Sequence, residues 1–170
     1  MKVEIKKLVD WDIVKEAALA TENKRPKTPL PTEEWKGKIL RAEHSPIRCL
    51  QFFIRMEDVP YYVAMHLVRH KHGVEWFVGT SREDRTGVPR DERKQTDLVN
   101  LSCIINAQAL ITISRKRLCN KADIKTRDLW QLVKRVMYDV DMATATAMQP
   151  DCIYRGKCNE MKPCNEHNYE

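Results

Sequence analysis

The sequence predicts an α+β fold. Short segments at residues 2–8 and 49–55 read as extended, longer stretches carry helical periodicity, and 42% apolar content under 32% charged residues suits a buried core beneath a solvated surface. A chain of 170 residues suits one domain, or a domain with a short appendage, and 5 Gly with 8 Pro are too few for a disordered or fibrous chain. The longest apolar stretches, such as Tyr61 to Val68, fall well short of the roughly 20 residues of a membrane span. The N-terminus scatters Lys2, Glu4, Lys6 and Lys7 among isolated apolar residues, with no continuous apolar run and no small-residue cleavage site. A cytoplasmic, reducing setting is therefore expected, in which the six cysteines are free thiols or metal ligands rather than disulfides.

Taken in order, residues 2–8 alternate weakly as an edge strand, and Trp11 to Ala20 has helical spacing with an Ala-rich interior. The Pro-bearing stretch Arg25 to Pro31 reads as a loop. Thr32 can cap a helix through Leu40, with Glu33 and Glu34 at the positive end of its dipole. Cys49 to Arg55 is short and aromatic and reads as a buried strand, after which Asp58-Val59-Pro60 starts a helix that ends near His70 to Gly73. Val74 to Gly79 is a second strand or an extended loop. Residues 80–97 are almost wholly polar, a length of loop that usually carries function. From Leu98 to Ile113 the β-branched content favours strand, but the spacing of Leu101, Ile104, Ile105, Gln108 and Thr112 and the length favour helix. A last long helix, capped by Thr126, carries Leu129, Leu132, Val133, Val136, Met137 and Val140 on one stripe and is ended by Pro150. The expected organisation is a domain at 1–150 and a cysteine-bearing tail at 151–170.

A net charge of +6 is modest, and the basic clusters at Lys24 to Lys27, Arg90 to Lys94 and Arg115 to Arg117 suit either a polyanion or a solvated face. Four groupings can carry chemistry. His66 and Arg69-His70-Lys71-His72 gather at a helix end before Gly73, where they could grip phosphate, or simply interact with the helix dipole. The loop 80–97 offers Thr80, Ser81, Arg82, Arg85, Arg90 and Arg93 to an anion, though a single glycine, Gly87, excludes a Walker A loop. Asn106, Gln108, Thr112 and Arg115 to Arg117 form a polar row through an apolar segment, and such a row needs partners from a ligand, the backbone or another subunit. Finally, Cys152, Cys158 and Cys164, with Cys119 upstream and His167 downstream, could hold zinc or an iron–sulfur cluster, although their spacing is wider than the usual zinc pair. Cys49 and Cys103 read as core residues.

The first three groupings, in their order, resemble the flavin-dependent thymidylate synthase (ThyX) family over about residues 10–147. Glu43-His44-Ser45-Pro46-Ile47-Arg48-Cys49 followed by Phe52-Phe53-Ile54 is similar to the family's His-x-Ser/Thr-Pro-Phe-Glu-His stretch and its aromatic strand. His66-Leu67-Val68-Arg69-His70-Lys71 resembles the start of the family signature, Gln-Leu-Val-Arg-His-Arg. Asn106-Ala107-Gln108-Ala109-Leu110, Arg117-Leu118 and Ala122 to Arg127 resemble the Asn-Ala-Arg-Ser-Leu segment and its continuation.

The resemblance implies a small antiparallel sheet with long helices on one side. It also implies a homotetramer with FAD and dUMP at subunit interfaces, and reductive C5 methylation of dUMP with methylenetetrahydrofolate and NADPH, without an enzyme nucleophile. Carried over by position, Ser45, Arg69, His70, Lys71 and Asn106 would face FAD. His66, Arg69, Thr80, Ser81, Arg82, Arg93 and Arg117 would hold dUMP, with Arg117 activating the pyrimidine. The chain departs from the family pattern at Arg48-Cys49, His66, Lys71 and Gln108, and at Val74 to Arg82, where the signature's Asn-Glu pair is lost. These departures touch flavin and folate contacts and keep a second class open: a non-catalytic nucleotide- or nucleic-acid-binding protein on the same fold. Cys119, Cys152, Cys158 and Cys164 fall outside the family pattern as a separate candidate metal site.

Overall fold

The computed structural model describes residues 1–27 and 30–164. Its centre is a four-stranded antiparallel sheet in the order β1-β2-β4-β3, formed by Lys2–Lys7 (β1), Gln51–Pro60 (β2), Val74–Val78 (β3) and Leu98–Asn106 (β4). The helices are Trp11–Ala20 (α1), Glu33–Arg41 (α2), Tyr61–Leu67 (α3), Glu83–Thr86 (α4), Ala107–Arg117 (α5), Ile124–Val140 (α6), Met142–Ala147 (α7) and Asp151–Arg155 (α8). The expected α+β class and its one-sided layering both hold. Phe52, Ile54 and Met56 of β2 and Leu101, Cys103 and Ile105 of β4 are fully buried beneath the helices. On the opposite face Lys2, Glu4, Lys6, Arg55, Glu75, Phe77 and Ile104 are exposed. Burying each Leu, Ile or Phe of that core contributes about 1.5–3 kcal/mol, and the two fully buried tryptophans bring polar tips that must be satisfied. Trp130 donates to Ser114 Oγ at 2.9 Å, joining α6 to α5.

Several expectations are corrected. Residues 98–113 are not one helix: Leu98–Asn106 is a strand, because Leu101, Cys103 and Ile105 alternate inward while β2 and β3 pair with its two edges, and helix begins only at Ala107. Tertiary pairing here overrides the helical spacing. The extended segment after Pro46 starts later and runs longer than expected, since Ser45–Cys49 is a 3-10 turn and β2 continues through Asp58 to Pro60. A register shift between Met56 and Val59, with Asp58 at φ 57°, absorbs the kink, and α3 begins at Tyr61. Asp123, not Thr126, caps α6, and the helix stops at Val140 rather than near Pro150 because Asp141 leaves helical backbone and caps α7. Within residues 80–97 a single turn of α4 and a 3-10 turn at Arg90–Glu92 break the loop. Cys103 is buried, but Cys49 is only half-buried. As expected, Thr32 Oγ caps α2, accepting from Trp35 N at 3.3 Å.

Asp141 ties three elements together. Its carboxylate accepts from Trp11 Nε1 at 2.7 Å, pairs with Lys7 Nζ at 2.9 Å, and accepts from Thr144 N at 2.9 Å. Burial disfavours this carboxylate, but the Lys7, Thr144 and Trp11 donors outweigh burial and hold it below its ordinary 3.8. A depressed native pKa means the contribution is complete above 3.8 and lost as pH falls through the native value. Asp141→Ala is expected to lower the unfolding free energy by about 3 kcal/mol at neutral pH. Urea unfolding should show that gap narrowing in acid, as the wild-type carboxylate protonates; a gap that stays constant would sink the assignment.

Candidate functional site

Helix α5 starts where β4 ends. Asn106 Oδ1 accepts from Ala109 N at 2.9 Å, the Asn106 N–H donates to Gly73 O at 3.0 Å, and the Ala107 N–H donates to Leu50 O at 3.0 Å. At the other end of α5, Arg117 donates from Nε to His70 Nε2 at 3.0 Å and from its second guanidinium nitrogen to His66 O at 2.5 Å. Residues 66–73 thus run beside α5 from Arg117 to Asn106, a separation of about 16 Å at helical rise. The segment is held from three sides. Tyr61 N and Tyr62 N donate to the carbonyls of Asp97 and Gln95 at 2.8 and 3.0 Å, and Trp76 Nε1 donates to His70 O at 2.7 Å. Gly73 sits at φ +73°, where a Cβ would stand 2.7 Å from Asn106 Nδ2, so a side chain is excluded both by conformation and by space.

This strip gathers positive charge. Burial and the neighbouring Arg69 both push the Arg117 guanidinium down from its ordinary value, and among the described residues neither arginine has a carboxylate partner. Burial and Arg117 likewise hold the His70 imidazole below 6.5. A neutral His70 accepting at Nε2 carries its proton on Nδ1, leaving that N–H as a donor. His66 lies 2.8 Å from Thr126 Oγ1, whose single proton goes to Asp123 Oδ1 at 3.1 Å, so His66 donates from Nδ1 and keeps Nε2 as an acceptor.

Of the residues singled out in the sequence, the structure brings His66, Arg69, His70, Lys71, Asn106 and Arg117 into this one strip, with Lys71 exposed. Ser45 lies on the 3-10 turn that packs against α5 and β4 and borders a cavity of about 510 Å³ with Trp35, His44 and Pro46, with no hydrogen bond to the strip among the described residues. Thr80, Ser81 and Arg82 lie on the exposed loop, where no hydrogen bond or ion pair among the described residues joins them to Arg117. Arg82 is engaged by Asp84 through two bonds of 2.9 Å, while Arg93 bonds Thr86 and keeps a buried Nε without a partner. Cys119, Cys152, Cys158 and Cys164 are half-buried thiols that border one cavity of about 230 Å³ beside the end of α5. Among the described residues no three His, Cys, Asp or Glu side chains form a ready metal-ligand set, and His167 lies outside the described residues.

Sequence reasoning missed Glu43 as a junction. At φ 50° just past α2, it accepts from Gln108 Nε2 and Tyr154 Oη at 2.5 Å each and from Arg115. Burial opposes its charge, but those donors hold its carboxyl below the usual range. Gly73 and Asp123 were missed as well. The signals for them were a glycine after a basic run and an acidic residue three positions before Thr126.

No protein-family profile and no curated protein matches the sequence. Solved structures do. The flavin-dependent thymidylate synthase ThyX of Helicobacter pylori, crystallised with FAD and dUMP, superposes with a TM-score of 0.72 at 14% identity, covering 88% of this chain and all of that one. The fold is that of ThyX. A second Helicobacter pylori ThyX structure with FAD and dUMP gives 0.67 at 14% identity over 85% of this chain and 99% of that one. The UMP/dUMP methylase PolB of Streptomyces cacaoi, bound with 5-Br dUMP, gives 0.63 at 12% identity over 86% and 94%. Within this fold, Arg117 and His70 are joined directly by a hydrogen bond of 3.0 Å. The His70 imidazole should titrate below 6.5 by NMR, and Arg117→Ala should raise its midpoint by removing one of the two causes. A midpoint at or above 6.5 in the wild type would overturn the neutral-His70 reading.

Proposed function

We propose that this chain is a flavin-dependent enzyme that reductively methylates C5 of a pyrimidine nucleoside monophosphate, dUMP in the first instance. The observation that carries the reading is Arg117, half-buried and bonded only to His66 O and a neutral His70, which feels the positive charge of Arg69 and has no carboxylate partner among the described residues. Keeping like charges together is unfavourable unless an anion joins them, and a nucleotide phosphate or a uracil carbonyl taking on negative charge meets that need. The fold is shared with structures named for dUMP and 5-Br dUMP, and the donor chemistry of the strip along α5 suits nucleotides of that kind.

The donor set also suits a flavin dinucleotide. Arg69, His70 Nδ1–H, Lys71 and Asn106 offer hydrogen bonds and positive charge to phosphates and ring carbonyls along one strip. When bound, the flavin supplies the reducing equivalents. The chain's own residues bind, orient and polarise: Arg117, fixed by His66 O and His70, presents its remaining N–H groups to the nucleotide, and His66 Nε2 can accept from it. Cys103 takes no part as a nucleophile, since burial pushes its thiol up to about 12. We assign NADPH as reductant and methylenetetrahydrofolate as one-carbon donor. Thr80, Ser81, Arg82 and Arg93 on the exposed loop, and Ser45 at its own cavity, complete the proposed set from neighbouring subunits of a homotetramer.

A second reading, a nucleotide-binding protein without catalysis, keeps the arginine pair but not the flavin. The absorbance spectrum of the purified protein, with FAD and then with dUMP, separates the two: flavin bands that sharpen on adding dUMP support the enzyme, whereas a protein that binds dUMP and ignores FAD supports the second. In either case Arg117→Ala should weaken dUMP binding by about 10- to 100-fold, the worth of one or two hydrogen bonds to charge, with little change in thermal stability. Unchanged dUMP affinity in a folded variant would remove Arg117 from the site.

A further inference from the structure

The tail that follows α7 is poor in the apolar side chains that would hold it by burial: Ile153 is 41% exposed and Met161 fully so. It is nevertheless fastened to the end of α5 at two points. Tyr154 Oη donates to Glu43 Oε1 at 2.5 Å while the Arg115 guanidinium stacks 4.0 Å over the Tyr154 ring, and further along Lys116 Nζ pairs with Glu160 at 3.2 Å. Between and beyond those anchors lie Cys152, Cys158 and Cys164, and all three border the cavity that Cys119 borders from α5. Four cysteines from one residue beyond a helix and from three separated tail positions share a single concavity.

From this shared lining we propose a structural zinc site in which Cys119, Cys152, Cys158 and Cys164 supply four thiolates once the tail closes over the cavity, pinning the tail to the end of α5. Four thiolates fill the tetrahedral shell of zinc, at about 2.3 Å per bond, and leave no open position for catalysis. Such a centre carries two net negative charges, and the cavity wall supplies compensation. Lys121 and Lys157 line it, as does Arg115, whose Nε is buried without a hydrogen-bond partner. The Lys121 N–H already points at Cys119 Sγ at 3.5 Å, the kind of outer contact that steadies a metal-bound sulfur. The spacing of five residues between tail cysteines is wider than the usual zinc pair, but Gly156, in the left-handed region at φ +72°, turns the chain back between Cys152 and Cys158. Because the described residues do not form a ready ligand set, zinc binding entails closure of the tail over the cavity.

The test uses the full chain purified under reducing conditions, with metals quantified by mass spectrometry. About one zinc per chain is expected, either as isolated or after reconstitution with zinc alone. The double substitution Cys152→Ser/Cys158→Ser should lose that zinc and make the tail sensitive to protease, while Cys49→Ser, outside the cavity, should keep it. Since the double variant can perturb the tail by itself, the chelated wild type is also titrated with cobalt(II), and the intense thiolate charge-transfer and tetrahedral bands are expected. No zinc after reconstitution, iron with labile sulfide in its place, disulfides among these cysteines in the reduced preparation, or full zinc retained by the double variant would each overturn the proposal. None of these readouts involves FAD or dUMP, so the outcome is independent of the enzymatic reading.

Discussion

The junction at Asn106 governs what the rest of the molecule can do. One residue ends the central strand, caps the helix that follows, and donates its backbone N–H to Gly73. An N-cap of this kind is worth about 1 kcal/mol in stability, but its larger effect is directional, because it sets where α5 leaves the sheet. Glycine at position 73 is required by that arrangement, since any Cβ would collide with the capping side chain. With the start of α5 fixed on β4 and its flank fixed by Trp130 to Ser114, the far end of the helix has little freedom.

At that far end, stability gives way to electrostatic tension. Arg117 is half-buried, feels the charge of Arg69, and among the described residues finds only a carbonyl and a neutral imidazole as partners. A structural arginine in the same place would be expected to meet a carboxylate, as Arg115 meets Glu43 two residues earlier. The contrast between these two arginines on one helix is the physical argument that Arg117 is kept for a ligand. His70 contributes by staying uncharged, which lets a third nitrogen group enter the cluster without adding a third positive charge.

Much of the fold was legible in the sequence, and its failures have physical causes. The α6 stripe, the α1 helix and the Thr32 cap follow from local periodicity and chemistry, and they stand as read. The stretch from Leu98 was misread because its strand is flanked on both edges by partners far away in sequence, which no window of neighbouring residues contains. Asp58 to Pro60 looked like a helix start because Pro commonly opens helices, yet a bulge carries the strand through it. For the candidate site, His66, Arg69, His70, Asn106 and Arg117 were legible through ordered motifs. Their mutual geometry was not, since it depends on residues 66–73 lying along α5.

The run Arg115-Lys116-Arg117 shows what a charge pattern can and cannot reveal. In the sequence it reads as a basic patch at the C-terminal end of a helix, where the dipole favours it. On the helix successive residues point about 100° apart, so the three cations diverge to three different partners. Arg115 goes to Glu43 and Tyr154, Lys116 to Glu160 in the tail, and Arg117 to His66 and His70. Two of the three are therefore spent on holding the tail, and one is left for the proposed anion site. A polyanion approaching this helix end would meet ion pairs already made rather than a continuous positive face, which argues against a nucleic-acid surface here and for recognition of a single small anion at Arg117.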